Sequence, residues 1–297
     1  MSMSSQDTPT VSITIISRNM GCSLTDCIQA LLDQTFQDFE IVIVDDRSTD
    51  GTRELIARLS DPRIRYFRND KRLGYGGTRN LALQQARGRY VFFTDADCVP
   101  DKNWIQSGLT VYKNQDCIGL VGKTLPIRDS SRRSERLVLN RDGRFMTCNM
   151  SMKRNILEEL GGFDSSFDVG QEDVELGLRA LKRGRIVFAQ DMLVYHRVET
   201  YTIKRLFTDA RRYKTQVMIF KRHPDAEYHQ KHSPPRVHGI FLKPEDWWII
   251  FCPIILFRSP SNQAMRDFLL IPFVYLATLY RRIVIWKAAI KERILLI

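Results

Sequence analysis

Short apolar runs alternate with helix-like segments through the first third of the chain, and this alternation limits the fold more than any other feature. The strand-like runs cover residues 11–16, 40–44, 64–67 and 90–93, and apolar residues recur at helical spacing over 24–32, 55–59 and 78–87. Such alternation predicts an α/β fold with a mainly parallel sheet, covered by helices on both faces.

Polar segments follow three of these predicted strands. They are Ser17-Arg18-Asn19, Asp45-Asp46-Arg47-Ser48 and Thr94-Asp95-Ala96-Asp97. In parallel sheets, ligands bind beyond the carboxyl ends of the strands. We therefore expect the functional chemistry of the chain just after Ile16, Val44 and Phe93.

The pair Asp95 and Asp97 is the most informative of these segments. Two carboxylates one residue apart can bind a hard divalent cation together with the phosphates that the cation carries. An isolated Asp-x-Asp is more commonly a pair of solvated loop acids. Its position behind a buried strand favours the metal-binding interpretation.

Asp46 and Arg79 suggest contacts to a nucleotide. A carboxylate at Asp46 can accept hydrogen bonds from a base or a ribose, although Ser48 or Asp50 could instead cap the following helix. Gly74 belongs to a glycine cluster ahead of a helix predicted to begin at residue 78. Glycines let the backbone approach an anion there, and Arg79 can bind a diphosphate.

Glu172 and Asp173 open another predicted helix, in which Val174, Leu178 and Leu181 recur on one side. A carboxylate at this position can act as a general base. Alternatively, the two acids only complement the helix dipole.

The composition narrows the class of partner. The formal charge of +11 and the pI of about 9.5 suit phosphorylated ligands or anionic lipid. A surface ladder of aromatic and basic residues is not evident, so we expect no nucleic acid partner. The six cysteines form no Cys-x-x-Cys pair, and residues 1–10 lack the pattern of a secretory signal. These features predict a catalytic part that faces the cytoplasm.

Taken in order, these segments resemble the family 2 glycosyltransferases of the GT-A fold, from residue 11 to about residue 197. Residues 147–154 and Gly161-Gly162-Phe163-Asp164 are similar to the acceptor-side strand of the family and the turn after it. The common Pro-Thr-Tyr-Asn of the first strand is replaced by Ser17-Arg18-Asn19 after Ile16.

The resemblance implies a role for each candidate residue. Asp46 would bind the base of a nucleotide sugar, Asp97 would hold Mg²⁺ or Mn²⁺ with support from Asp95, and Asp173 would be the general base beside Glu172. The remaining residues expected at the donor are Ser17, Arg18, Asn19, Ser48, Gly74, Arg79 and Asn149.

His196 follows a predicted strand, where the family often completes its metal shell with a histidine. A lone histidine is more often structural, because imidazole also satisfies buried hydrogen bonds. The Gln-x-x-Arg-Trp signature of processive synthases is absent from the sequence. The resemblance thus implies inverting transfer of a single sugar, from a UDP-sugar by default, to a hydroxyl or phosphate acceptor such as a lipid-linked glycan or polyprenyl phosphate.

Two other functions remain open from the sequence. A sugar-phosphate nucleotidyltransferase shares the α/β outline and the acids, but it would need a glycine-rich N-terminal loop with Arg and Lys, which Gly21-Cys22-Ser23 does not provide. A nucleotide-sugar-binding protein without catalysis would retain the strands but replace the acids. The acids at positions 46, 95, 97 and 173 are all present here.

The sequence divides into a polar tail (1–10), a GT-A catalytic domain (11–200), an amphipathic helix (201–222), a polar connector (223–245) and an apolar and basic C-terminal region (246–297). The apolar segments 247–257 and 268–280 are shorter than the roughly twenty residues that span a bilayer. We expect this helical extension to attach to the cytoplasmic face of the membrane as a peripheral or re-entrant element. Packing against a second subunit, in a homodimer, is the alternative.

Overall fold

The chain divides into two units, which we describe separately. The computed structural model describes residues 8–128, 135–200, 202–224 and 271–293. The first unit comprises Met1–Ile127, Val138–Asp168 and Glu172–Arg197, and the second comprises Arg128–Leu137, Val169–Gln171 and Val198–Ile297. Most of the predicted connector and the predicted apolar segment 247–257 lie outside the described residues.

The first unit is built on an eight-stranded sheet. The strands of the chain are β1 Val11–Ser17, β2 Phe39–Asp45, β3 Ile64–Arg68, β4 Tyr90–Asp95, β5 Cys98–Pro100, β6 Gly119–Pro126, β7 Glu135–Arg136, β8 Met150–Lys153, β9 Ile186–His196 and β10 Glu199–Thr200. The order in the sheet is β3-β2-β1-β4-β8-β6-β9-β5. The four strands predicted in the first third of the chain are confirmed, and they pair in parallel.

The other half of the sheet is mixed. β8 runs antiparallel to both β4 and β6, and β5 runs antiparallel to β9, whereas β6 and β9 are parallel. The strand predicted ahead of His196 is β9, which begins at Ile186 and includes His196 itself. A register shift after Gly122 interrupts its pairing with β6.

The described helices include those predicted over residues 24–32, 55–59 and 78–87, with altered ends. They are α1 Gly21–Leu32, α2 Thr52–Ala57, α3 Gly74–Gln85, α4 Trp104–Asn114, α5 Arg154–Glu159, α6 Glu172–Leu181, α7 Ile203–Arg211, α8 Tyr213–Arg222 and α9 Ile271–Lys291, with a short 3-10 helix at Thr147–Asn149. The predicted start of α3 at residue 78 was wrong, because the helix already begins at Gly74. The predicted apolar side of α6 was also wrong at Leu181, which is exposed.

Both faces of the central strands are buried, as expected for a parallel sheet between two helical layers. Every residue of β2 is buried. On one face, Ile13 and Ile15 of β1 pack with Leu24 of α1. On the other face, Val44 of β2 packs with Ala82 of α3. The parallel strands therefore end together at one edge, where their loops leave the sheet.

A buried acid marks the opposite edge, near the beginning of β2. The Glu40 carboxylate accepts hydrogen bonds from Ser12 Oγ at 2.7 Å, Arg65 Nη1 at 2.8 Å and Arg87 Nε at 3.0 Å. Burial raises the pKa of Glu40, but these hydrogen bonds outweigh burial and hold the pKa below its usual value. Glu40 is therefore a charged anchor for both arginines.

In the part of the second unit that the structure describes, the chain forms α7, α8 and α9. The single amphipathic helix predicted over residues 201–222 is instead two helices, α7 and α8, which meet at Arg212. Val217 of α8 packs with Ile285 and Ala289 of α9. Lys221 Nζ of α8 also contacts Glu292 Oε2 at 3.0 Å.

Helix α9 continues beyond the predicted apolar segment 268–280, through Arg281 and Arg282. The reason is that both cations are accommodated by packing: Arg282 is buried, and the Arg281 guanidinium lies 5.0 Å from the centre of the Tyr213 ring. Among the described residues, no helix is both long enough and apolar enough to cross a bilayer.

Candidate active site

The parallel register brings the predicted polar segments to one edge of the sheet. Ser17 at the end of β1 pairs with Asp45 of β2, and Ile16 pairs with Asp95 of β4. Residues that are distant in sequence therefore begin their loops side by side. This edge is where we expected the chemistry, because helix and loop backbones open a crevice at the carboxyl ends of parallel strands.

Asp46 is held by the beginning of α3. Its Oδ1 accepts hydrogen bonds from Asn69 Nδ2 at 2.9 Å and from the Leu73 backbone N–H at 2.8 Å, and its Oδ2 accepts one from the Gly74 N–H at 3.3 Å. Asp46 is buried, with 6% of its surface exposed. These donors fix its orientation and stabilise its charge, because backbone N–H groups at a helix start carry partial positive charge.

The glycines of α3 have a different role from the one expected. Gly74 adopts a φ of +71°, which a glycine accommodates without strain, and its N–H is directed to Asp46. A Cβ at Gly76 would lie 3.1 Å from the backbone oxygen of Asp164. The glycine at position 76 thus lets α3 approach the backbone of its own unit.

Ser48 and Asn19 connect the loops that follow β1 and β2. Ser48 Oγ donates to Asp45 Oδ1 at 2.6 Å and accepts from the Asn19 N–H at 2.9 Å. Asn19 Oδ1 accepts from the Thr49 N–H at 2.8 Å. Both side chains are therefore occupied in shaping the crevice.

Ser17 is the last residue of β1, and Arg18 begins the loop that follows it. Ser17 Oγ is buried and has no hydrogen-bond partner within the part of the chain that the structure describes. Arg18 is exposed. An unpaired buried hydroxyl beside an exposed cation can bind a polar ligand.

The two acids of the Asp-x-Asp segment have different partners. Asp95 is the last residue of β4, and its Oδ1 accepts from Arg79 Nη2 at 3.2 Å. Asp97 Oδ1 lies 3.5 Å from His196 Nε2. The antiparallel pairing of β5 with β9 sets Cys98 opposite His196, which explains the approach of Asp97 to the histidine.

Asp97 and His196 have donor atoms suited to a divalent cation. His196 Nδ1 lies 2.7 Å from the Arg197 backbone oxygen, which can only accept, so Nδ1 carries the proton. Nε2, on the other side of the ring, lies towards Asp97, as in histidines oriented for metal binding. Cys98 completes a group whose possible ligand atoms lie within 4.8 Å of one another.

The donor set fits a cation such as Mn²⁺, because carboxylate oxygen and imidazole nitrogen are among its common ligands. Asp95 does not belong to this group among the described residues. Its carboxylate faces Arg79, although about a third of the side chain remains exposed.

Arg79 lies at the centre of a buried charge cluster. Its Nη2 donates to Thr147 Oγ1 at 2.6 Å and to Asp95, and its Nε lies 3.4 Å from Glu172 Oε1. The side chain is only 8% exposed. Its guanidinium is thus committed to internal partners, whereas we expected it to bind a diphosphate.

Glu172 and Asp173 begin α6 beside this guanidinium. Burial raises the pKa of Glu172 to about 7, with the nearby Asp173 adding to the effect and Arg79 opposing it. Burial likewise raises the pKa of Asp173, against the charge of Arg79 and hydrogen bonds from the N–H groups of Val174 and Thr147. Glu172 is buried and Asp173 is half-buried, so Asp173 is the more accessible acid.

Asn149 does not share the crevice. Its Oδ1 accepts from Trp104 Nε1 at 2.9 Å, and its Nδ2 donates to the backbone oxygens of Lys123 and Met192, both at 2.8 Å. The side chain is fully buried. Its amide holds the fold together, so we leave Asn149 out of the donor site proposed below.

Three functional positions were missed by reasoning from the sequence. Thr147 links Arg79 to Asp173, Asn69 orients Asp46, and Cys98 lies beside the Asp97–His196 pair. Asn69 follows β3 as Asp46 follows β2, which is a usable signal. Thr147 carries no charge, and nothing in the sequence around it signals a role at this site.

The chain is similar to several known proteins in sequence and in fold. The profile of the family described as Glycosyl transferase family 2 matches residues 12–168. The chain is 29% identical over 178 residues to the Escherichia coli protein named UDP-Glc:alpha-D-GlcNAc-diphosphoundecaprenol beta-1,3-glucosyltransferase WfaP, covering 59% of this chain and 71% of WfaP.

A second relative is the putative teichuronic acid biosynthesis glycosyltransferase TuaG of Bacillus subtilis. It is 33% identical over 126 residues, which cover 41% of this chain and 50% of TuaG. The chain therefore spans about half the length of this relative.

Solved structures share the fold. A mannosyltransferase from Pyrobaculum calidifontis, in complex with GDP-Man and Mn²⁺, has a TM-score of 0.60 at 18% identity and covers 96% of this chain and 87% of its own. TarS from S. aureus in complex with UDP has a TM-score of 0.56 at 19% identity, with 96% and 91% covered. Since the family profile spans more than half of the sequence, the chain belongs to glycosyltransferase family 2.

Proposed function

We propose that the chain transfers one sugar, with inversion, from a nucleoside-diphosphate sugar to a lipid-linked acceptor. The observation that carries this proposal is the pairing of Asp97 with His196 at the same sheet edge as the acids around Arg79. A UDP-sugar is the first donor to test, because the name of WfaP specifies UDP-Glc. That name also specifies a diphosphoundecaprenol-linked sugar, which supports a polyprenyl-linked glycan or polyprenyl phosphate as acceptor.

The donor site in this proposal lies between the loops after β1, β2 and β4. Asp46 would accept a hydrogen bond from the base, since its donors at the start of α3 hold the carboxylate in a fixed orientation. Ser17 and Arg18 would contact the nucleotide, while Asn19 and Ser48 would hold the loops in place. This division assigns ligand binding to the side chains that still have hydrogen-bonding capacity.

Asp97 and His196 would hold a divalent cation, with Asp95 supporting it from the Arg79 side. When bound, such a cation stabilises the negative charge of the departing nucleoside diphosphate. Asp95, held by Arg79 Nη2, would then orient the donor near the general base on α6.

Asp173 would remove the proton from the acceptor hydroxyl. Inverting transfer requires one carboxylate base on the face opposite the leaving group. Glu172 is too buried to reach a substrate, and we assign it as a positioning residue that acts through Arg79. The raised pKa of Asp173 makes it a stronger base than an ordinary aspartate.

Replacing Asp97 with Ala should abolish metal-dependent transfer. Loss of several kcal/mol of charge stabilisation corresponds to a fall in kcat of about 100-fold or more. The measurement is release of nucleoside diphosphate from a panel of nucleotide sugars with Mn²⁺ or EDTA, combined with Mn²⁺ binding followed by electron paramagnetic resonance.

The matched control is Asp191→Ala, an exposed acid on the strand that ends at His196. It should retain both turnover and Mn²⁺ binding. Turnover that survives EDTA and Asp97→Ala would contradict the metal assignment. Formation of inorganic pyrophosphate instead of nucleoside diphosphate would identify a nucleotidyltransferase.

Replacing Asp173 with Asn should lower kcat by about 10²–10⁴-fold and leave donor binding intact, because only proton removal is lost. In the wild type, kcat/KM should decline as the pH falls through a pKa above the ordinary aspartate range, since the base must be ionised. The residual activity of Asp173→Asn should lack this inflection. If Asp173 only complements the helix dipole, the variant will lose thermal stability while kcat and the pH profile persist.

The C-terminal helix supports attachment to a membrane surface. The apolar side chains exposed on α9 recur along one side of the helix, and they are Leu276 (50%), Ile283 (51%), Trp286 (57%) and Ile290 (74%). The nearby Lys287, Lys291 and Arg293 are exposed cations. A helix of this kind lies in the membrane interface with cations among anionic headgroups.

Replacing Trp286 and Ile290 with Ser should prevent the protein from floating with vesicles that contain phosphatidylglycerol, because half or more of each side chain is available for insertion. The control replaces Ile127 and Leu139 with Ser, two exposed apolar residues elsewhere in the chain. If the wild type does not float, and sedimentation shows a dimer that the Trp286 and Ile290 substitutions dissociate, the helix is a subunit interface.

A further inference from the structure

We propose that a cleft at the opposite edge of the sheet binds a phosphate-bearing anion. The cleft has a volume of about 670 Å³ and is lined by residues 8–10 together with Arg87, Arg89, Lys153, Arg154 and Glu158. Pockets of roughly 300–1,000 Å³ hold small ligands, so a diphosphate fits this volume. We call it the basic cleft.

The basic cleft is separate from the proposed donor site. Tyr90, which lines it, begins β4, and Asp95 ends the same strand. At about 3.3 Å per residue, the two ends of β4 are roughly 16 Å apart. The cleft shares no residue with the catalytic machinery proposed above.

Two of its four cations have acidic partners. Arg87 Nη2 lies 2.9 Å from Glu40 Oε2, and Arg154 Nη1 lies 2.6 Å from Glu158 Oε1. Glu40 also binds Arg65 at 2.8 Å, so its single charge is divided between two arginines.

Arg89 and Lys153 are the other two cations. Within the described ranges, neither has a carboxylate oxygen closer than 4.0 Å. The Arg89 guanidinium instead lies 5.3 Å from the centre of the Tyr90 ring. The lining therefore carries a net positive charge that an anion can neutralise.

The backbone around these cations is rigid. Tyr90 and Lys153 are register partners in the antiparallel pair β4 and β8. The Arg154 N–H donates to the Arg89 backbone oxygen at 2.9 Å, and Arg154 Nε donates to the Gly88 oxygen at 3.0 Å. Backbone segments fixed by such hydrogen bonds need little reorganisation when an anion binds, which favours affinity.

Guanidinium and ammonium groups together are suited to phosphate, because they donate several charge-assisted hydrogen bonds to its oxygens. A diphosphate, or a phosphomonoester with two charges, matches the unneutralised pair Arg89 and Lys153. The phosphate could belong to a free anion or to a lipid headgroup, and the experiment separates these sources.

The first arm measures inorganic pyrophosphate binding by calorimetry in EDTA, which removes metal-dependent binding at the donor site. Replacing Arg89 and Lys153 with Gln should weaken binding at least tenfold. The control replaces Arg58 and Lys113 with Gln, two exposed cations whose loss changes the net charge equally, and it should bind like the wild type. Binding of the wild type should weaken as NaCl is raised.

Two further measurements complement the calorimetry, because the first needs no variant and the second needs no free anion. Pyrophosphate should shift the amide resonances of residues 87–90 and 153–155 in the wild type. In a second arm, the Trp286 and Ile290 substitutions serve as the background, because they remove attachment through α9. Flotation of this background with phosphatidic acid vesicles, compared with phosphatidylcholine vesicles, identifies a lipid phosphate if it is lost when Arg89 and Lys153 are also replaced.

The proposal is overturned if the wild type, the cleft variant and the control bind pyrophosphate alike and float alike, or if the wild type binds neither probe. Sugar transfer should be unchanged in the cleft variant. Failure of this proposal therefore leaves the proposed transferase function intact.

Discussion

A single buried guanidinium holds the acids of the proposed active site in position. Arg79 of α3 contacts Asp95 at the end of β4 and Glu172 at the start of α6, and it donates to Thr147 between them. Burying a cation is costly unless opposite charges and hydrogen bonds compensate for lost hydration. Burying the acids without the cation would be equally costly. The positions of α3, β4 and α6 at the carboxyl edge therefore depend on one another through this side chain.

The Asp-x-Asp segment joins two functions across this cluster. Asp95 faces Arg79 and thereby the acids of α6, whereas Asp97 faces His196 of β9. Sugar transfer needs stabilisation of the leaving diphosphate and activation of the acceptor. The groups that perform these two tasks must be held at a fixed separation. In the function we propose, Asp97 serves the leaving diphosphate, and Asp95 at the end of β4 connects through Arg79 to the acids of α6. A displacement of either partner would disturb both.

Local patterns in the sequence are sufficient to predict the strands of the parallel half-sheet, because their apolar runs are buried on both faces. The location of the site follows from the ends of those strands. The partners of Arg79 cannot be predicted from local patterns. A cation after a glycine cluster suggests a diphosphate ligand, but Arg79 contacts residues that lie 16 and 68 positions away in the sequence. The same limit applies to Asn149, whose amide is used by Trp104 and two distant backbone oxygens, and to α9, where packing accommodates Arg281 and Arg282.

The role of Arg79 is tested most directly by a carbon-13 NMR titration of the Glu172 carboxyl in the wild type, Arg79→Met and Arg79→Lys. In the wild type this group should titrate with a pKa of about 7. Methionine fills the space without the charge, so the pKa of Glu172 should rise further, whereas lysine retains the charge and should keep the pKa near the wild-type value. An unchanged Glu172 pKa in Arg79→Met would contradict the central position of Arg79 in this cluster.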